Sequence, residues 1–282
     1  GLVKALRVPR VMVPTKVRDV RGFEADFSLD KQGFQWVQWP AALNTWDNDA
    51  EIERLYYPDM ESLLKKVTGA SHAYVFNHVL RGETWSAIMK DIENFKDEDI
   101  EFRAANNCYI HCDYSYQGAE QFYDRIVANG RRDDLKPLAV SPRRRWALIN
   151  LWRPRQPVER DALCVADAHS ITDDELAEQT IKWMKAEELT EEQKKHPYIH
   201  KYQAGAPDTY LWAVKPPTDP EKHKWYYASK MTPDEVLLFK MYDSRNDGRA
   251  KRVPHTSFQC ASDSGPARES VELRAFVFWE DQ

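Results

Sequence analysis

Cysteine is scarce, and what there is forms no pattern. Cys108, Cys112, Cys164 and Cys260 make no CxxC pair. Cys108 and Cys112 would share a face on a strand, but no second pair follows at zinc-finger spacing. A cysteine-built zinc module is thereby excluded, and ordinary buried thiols in a reducing, cytoplasmic setting are expected. Long apolar runs are missing too. The longest reach about seven residues, far short of a membrane span, so no membrane partner is expected. The opening Gly1-Leu2-Val3-Lys4 carries no signal-peptide pattern. Charge of one sign is not concentrated anywhere. The net charge of -5 is spread along the chain, and Arg143-Arg144-Arg145 leads straight into an apolar strand. Nucleic acid is therefore not an expected partner. Internal repeats and domain-dividing linkers are absent as well.

What the 282 residues do contain is material for a core: 42% are apolar and 12% aromatic, with ten Trp and thirteen Tyr. Short runs with strand character dominate. They fall at 11–14, 34–40, 72–80, around His111, and at 146–153, 162–166, 209–215, 225–228, 236–242, 255–258 and 270–279. Helical spacing covers 48–68, split by Pro58, and 118–129, stopped at Asn129-Gly130. An acidic helix over 172–188 would start from an N-cap at Thr172. The stretch Thr232-Pro233-Asp234-Glu235 also resembles a helix start. Many short strands and few helices predict a mainly β fold with flanking helices, a sandwich or jelly-roll. One domain over 1–282 is expected: an N-terminal extension over about 1–100, and a core over about 101–282 with a flap-like insertion over about 168–205.

The chemistry centres on Tyr109-Ile110-His111-Cys112-Asp113-Tyr114-Ser115. Side chains alternate along a strand, so His111 and Asp113 point one way and Ile110 and Cys112 the other. An imidazole and a carboxylate converging in this manner are two arms of a two-histidine, one-carboxylate iron site, and His255 is the best candidate for the third. A lone HxD arises often by chance. The final strand adds weight, because Arg268, Ser270, Glu272 and Arg274 load one face of a run ending Ala-Phe-Val-Phe-Trp. A buried guanidinium needs an anionic partner, and a carboxylate gripped bidentately is the most economical one. A 2-oxoglutarate cosubstrate would supply it. Asn150 and Trp152 share a strand face and fit a cosubstrate wall, with core packing an equal alternative for the Trp. Tyr114 would pack beside the metal. His78 and Arg81 could reach a substrate, although a structural role suits His78 better. His169, His196, His200 and His223 read as solvated. Tyr242-Asp243-Ser244 fits a turn.

Five motifs stand in order: Ile110-His111-Cys112-Asp113-Tyr114-Ser115, Asn150-Leu151-Trp152-Arg153-Pro154, Tyr242-Asp243-Ser244, Pro254-His255-Thr256-Ser257-Phe258 and Arg268-Glu269-Ser270-Val271-Glu272-Leu273-Arg274. Together they resemble the fungal hydroxylase/desaturase family of natural-product clusters, which is gibberellin-desaturase-like and related to a cephamycin methoxylation subunit. The resemblance implies a double-stranded β-helix (jelly-roll, cupin-like) core, with iron(II), 2-oxoglutarate and O2 as cofactor and cosubstrates. It also implies oxidation of an unactivated C–H bond in a small-molecule intermediate. Hydroxylation, desaturation and ring closure are all open, an aziridine on an amino acid being one imaginable closure. Carried over by motif, His111, Asp113 and His255 would be the iron ligands. Arg268 with Ser270 would hold the distal carboxylate of 2-oxoglutarate, with Arg274 a competitor on the same face. Two other readings stay open: a jelly-roll metalloenzyme without 2-oxoglutarate, such as an isomerase or a cysteine-type dioxygenase, and a non-catalytic binding module. The oligomeric state is not legible.

Overall fold

In a computed structural model of the chain the strand pattern resolves into two facing sheets. Residues 3–8, 11–43, 45–99, 106, 108–128, 133–139, 144–182, 185–191, 194 and 208–282 are described. The strands are β1 (Val17–Asp19), β2 (Phe34–Gln38), β3 (His72–Arg81), β4 (His111–Cys112), β5 (Trp146–Pro154), β6 (Leu163–Ala166), β7 (Leu176–Ile181), β8 (Thr209–Val214), β9 (Trp225–Tyr227), β10 (Glu235–Asp243), β11 (His255–Ser257) and β12 (Ser270–Phe278). One sheet runs β1-β9-β6-β11-β4-β8-β7 and the other β2-β10-β5-β12-β3. Only the β1–β9 pair is parallel among the described ladders. The N-terminal strands β2 and β3 thus complete the sheet that carries β5, β10 and β12.

The five-stranded sheet is a middle layer, which is why β5 and β10 are buried along their whole length, and β12 at every position but Arg274, and why they do not alternate cleanly. Ala147, Ile149, Leu151, Val236, Leu238, Val271, Leu273, Ala275 and Val277 face the helical side. There they meet Met60, Leu63 and Leu64 of the Tyr57–Thr68 helix. Pro58 falls in the first turn of that helix, where its missing N–H costs nothing, and a π-helical turn over Ile52–Tyr56 leads into it. The opposite face is apolar at both ends. Trp152, Leu237 and Phe239 pack on Val165 and Val253 at one end; Trp146, Leu148, Phe276 and Phe278 pack on Tyr114 and Tyr123 at the other. Between them lie Asn150 and Arg274, which pair directly across the ladder, while Glu272 stands level with Trp152 and Ser270 beyond it, opposite Pro154. Burial of large apolar side chains at roughly 1.5–3 kcal/mol each fixes this register. A one-residue slip of β12 would drive its polar residues into the helix-side core.

Two expected elements are corrected. Val11–Pro14 is no strand: Val11 and Met12 have nothing to pack against and stand exposed, and the first strand comes later, at β1. The acidic helix over 172–188 is replaced by a 3-10 turn at Asp173–Glu175, strand β7 and a second 3-10 turn at Ala186–Glu188. Thr172 and Glu175 do form a capping box. Beyond one turn, however, pairing of Leu176–Ile181 with β8 satisfies the backbone, and the segment is too polar to bury a helical face. Thr232 likewise accepts from the Glu235 amide in a single turn, after which the chain enters β10. The helix stop at Asn129-Gly130, and His196 and His200, lie outside the described residues. Among the described residues no helix is long and apolar enough to cross a membrane.

The segment after Asp113 is anchored at Tyr210, whose carbonyl accepts from the Ser115 amide at 2.7 Å. Ser115 caps the Tyr116–Tyr123 helix through the Gly118 amide. A Cβ on Gly118 would lie 2.3 Å from that same carbonyl oxygen. Gly118→Ala is therefore expected to cost about 2 kcal/mol by overpacking against backbone that cannot yield. Urea unfolding checks this, and an unchanged midpoint would refute it.

Candidate metal centre

His111 and His255 come together because β4 and β11 are neighbours in register: the two residues are directly paired, with ring centroids 4.4 Å apart. The ladder ends at Cys112, and Asp113 follows in a bend rather than on the strand. Its carboxylate still turns to the histidine side, with Oδ1 3.3 Å from His111 Nε2 and 3.7 Å from His255 Nε2. All three ligand atoms lie within 4.8 Å of one another, and both imidazoles are buried.

Backbone contacts fix the tautomers. His111 Nδ1 lies 3.0 Å from the Tyr109 carbonyl oxygen, and His255 Nδ1 lies 3.1 Å from that of Val253. A carbonyl oxygen can only accept, so each Nδ1 carries a proton, and in the neutral ring it is Nε2 that presents the lone pair. Burial, with His111 close by, pushes His255 down to about 4, which keeps its ring neutral. Burial alone would raise Asp113, but the Arg274 guanidinium together with the two histidines outweighs that and holds the carboxyl well below the usual range. Two imidazole Nε2 atoms and an anionic oxygen thus face one point. Such a donor set suits a divalent cation bound on one face with other positions open, the two-histidine, one-carboxylate arrangement of non-haem iron(II).

The other carboxylate oxygen is occupied. Asp113 Oδ2 accepts from Asn150 Nδ2 at 2.9 Å and from Arg274 Nε at 3.2 Å. Asn150, expected on a cosubstrate wall, thus supports the Asp113 carboxylate. Arg274 is neutralised by Asp113 and by Glu272, whose Oε1 is 2.7 Å from Arg274 Nη2.

Arg268 differs. It is buried, lies over the Trp152 ring, and donates to two neutral acceptors, the Asp161 carbonyl and Asn106 Oδ1. Burial, with Arg81 nearby, pushes its guanidinium down to about 9. Its Nε, the Ser270 hydroxyl and the Trp152 indole nitrogen are buried without hydrogen-bond partners among the described residues. A cavity lined by Arg81, His111, Trp152, His255, Arg268 and Glu272 joins this end to the histidines. Three unsatisfied donor groups around a cation, opening toward a metal-ligand cluster, make a receptor for a carboxylate.

Of the remaining expected residues, Arg81 lines the cavity. Tyr114 packs on Phe122, close enough to Arg274 and Asp113 to feel both charges. His78 does not join the site. It pairs with Leu273, which faces the helix, and its ring meets the Tyr57 hydroxyl at 2.9 Å and Asp49 at 3.3 Å. His223 is buried against Glu175 rather than solvated. Cys112 and Cys164 are the expected buried thiols, burial pushing Cys112 up to about 12, whereas Cys260 is exposed. Sequence reading gave Asn106 and Asp161 no place in the site. Asp161 holds a positive φ of 50°, and its carbonyl also accepts from the Ser257 hydroxyl; nothing in the local sequence signals either contact.

Residues 4–278 match a family described as Oxidoreductase/YMDC permease-like domain. The hydroxylase/desaturase efuI of Hormonema carpetanum is 36% identical over 286 residues, covering 100% of this chain and 89% of that protein. The alpha-ketoglutarate-dependent dioxygenase tstK of Talaromyces stipitatus is 30% identical over 267 residues, covering 93% of this chain and 84% of that protein. Among solved structures, the iron and alpha-ketoglutarate-dependent endoperoxidase NvfI of Aspergillus novofumigatus has the same fold, with a TM-score of 0.70 at 22% identity over 96% of this chain and 92% of that one. Matched over nearly its whole length, the chain belongs to the oxidoreductase family of the fungal hydroxylases/desaturases.

Proposed function

We propose that the chain is an iron(II)- and 2-oxoglutarate-dependent oxidoreductase acting on a small-molecule intermediate of secondary metabolism. The observation that carries this is one cavity joining His111 and His255, and with them Asp113, to a buried arginine whose hydrogen bonds among the described residues go to neutral oxygens. His111, Asp113 and His255 would hold the metal. Arg268 and Ser270, with the Trp152 indole N–H, would take the distal carboxylate of 2-oxoglutarate. Arg268 suits that role better than Arg274, which already serves Asp113 and Glu272. When bound, iron(II) with 2-oxoglutarate supplies activation of O2 for attack on an unactivated C–H bond. The chain's own part is to orient Asp113 through Asn150 and Arg274, keep the His255 imidazole neutral, and shield the cavity from water behind Trp152 and Leu163. Whether the outcome is hydroxylation, desaturation or ring closure depends on how the substrate is seated. A reducing cytoplasmic location fits the buried thiols of Cys112 and Cys164, neither of which is in a disulfide.

Incubation of the purified protein with iron(II), ascorbate and 2-oxoglutarate, with candidate metabolites, tests the reading. Succinate is expected above the metal-free control, and its absence with every candidate would overturn the proposal. In the same assay Arg268→Met is expected to weaken 2-oxoglutarate binding by roughly ten- to a hundredfold, the worth of hydrogen bonds to a charged group. If Arg274→Met weakened it instead and Arg268→Met did not, the two assignments would be exchanged.

A further inference from the structure

Glu272 is the acidic side chain among those lining the cavity, and metal ligation leaves it without a task. Only 7% of its side chain is exposed; Oε1 stands 2.7 Å from Arg274 Nη2 and Oε2 3.9 Å from Arg81 Nη2. Being two residues apart on β12, Glu272 and Arg274 project from the same face. A line of alternating charge therefore runs Arg81, Glu272, Arg274, Asp113.

The end of that line matters for a cation. Asp113 must keep Oδ1 toward the histidines while Oδ2 is held from behind, and Arg274 does part of that holding through a single nitrogen, Nε. A guanidinium left to itself grips a carboxylate with two parallel N–H bonds. Were Arg274 to do so, its second N–H would fall on Oδ1, the atom a metal needs. Glu272 holds the Nη2 end by charge, as an ion pair, and so keeps it from Oδ1.

We propose that Glu272 is a positioning residue of the metal centre, confining Arg274 to one-nitrogen contact with Asp113 and so leaving Asp113 Oδ1 free for the cation. This rests on reading His111, Asp113 and His255 as the metal ligands. Residues that orient a ligating carboxylate typically change metal affinity ten- to a hundredfold when removed.

Cobalt(II) titration, followed by visible absorption, tests this without turnover. Glu272→Gln is expected to bind cobalt(II) about tenfold more weakly than the native chain. Because Glu272 acts through Arg274, the double variant Glu272→Gln/Arg274→Met should bind no more weakly than Arg274→Met alone. Native affinity in Glu272→Gln, or losses that multiply in the double variant, would overturn the proposal. If circular dichroism shows Glu272→Gln unfolded, Glu272→Asp, which keeps the charge but shortens the reach, is titrated instead; a measurable loss supports the proposal and native affinity overturns it. Should the native chain take up no cobalt(II) or iron(II), or His111→Ala bind as well as the native chain, the metal-centre reading itself fails and this proposal falls with it. A native chain that binds beside an unaffected Glu272→Gln sinks the Glu272 proposal alone.

Discussion

Asp113→Ala is expected to lower metal affinity by two to three powers of ten and to abolish turnover. Structural metal sites with four ligands gain roughly 10–16 kcal/mol, so one ligand of a three-residue set is worth about 3–4 kcal/mol. Asp113 has an added share because it is the only anion in the set. Its Oδ1 faces the two imidazole Nε2 atoms at 3.3 and 3.7 Å. A cation bound there makes three bonds, so metal should stabilise the fold as well as serve chemistry. At a concentration a hundred times the dissociation constant, binding adds about 2.7 kcal/mol to native stability. Cobalt(II) or iron(II) under anaerobic conditions should accordingly raise the melting temperature of the native chain by several degrees and leave Asp113→Ala unmoved. Equal shifts in both would mean that the metal binds elsewhere. Asn150→Ala removes one of the two donors to Oδ2 and is expected to give a smaller loss of the same kind.

How far the residues announce this arrangement varies with the range of the interaction. Strands β5 and β10 are legible because they are buried on both faces and so read as largely apolar runs. The polar residues of β12 are legible for the opposite reason: Ser270, Glu272 and Arg274 interrupt such a run at every second position. Edge strand β7 is not legible. It is largely exposed, and the capping box before it is a true helix signal that the β8 ladder overrides after one turn. His111 and Asp113 stand out through their spacing, and His255 through its motif. That His255 pairs directly with His111 depends on long-range register, which local pattern does not encode. The same holds for Asn150. Its strand face is correct from sequence, but the carboxylate it serves comes from the bend that follows β4, a strand of the other sheet.

Asp243 is the sharpest case, since Tyr242-Asp243-Ser244 reads as a turn and the structure makes it the centre of a buried charge cluster. Its side chain is fully buried; Oδ2 accepts from Arg145 at 2.8 Å and from Lys240 at 2.7 Å, and Oδ1 accepts from the Arg245 amide at 3.1 Å. Lys240 and Arg145 are almost as deeply enclosed, at 1% and 4% exposure of their side chains. Their other carboxylate partner, Asp30, is 56% exposed, so water screens what it contributes. Asp243→Ala would leave two buried cations sharing that screened carboxylate. Breaking a buried pair by removing one partner costs about 3–5 kcal/mol, because the charge left behind has lost its compensation. For a chain of this size that is roughly a 10 °C fall in melting temperature. Asp30→Ala should cost about 1 kcal/mol, since Asp243 remains between the cations. The contrast is the test: a mild effect of Asp243→Ala, or equal effects of the two substitutions, would mean that the cluster is hydrated and that Asp243 serves only the turn.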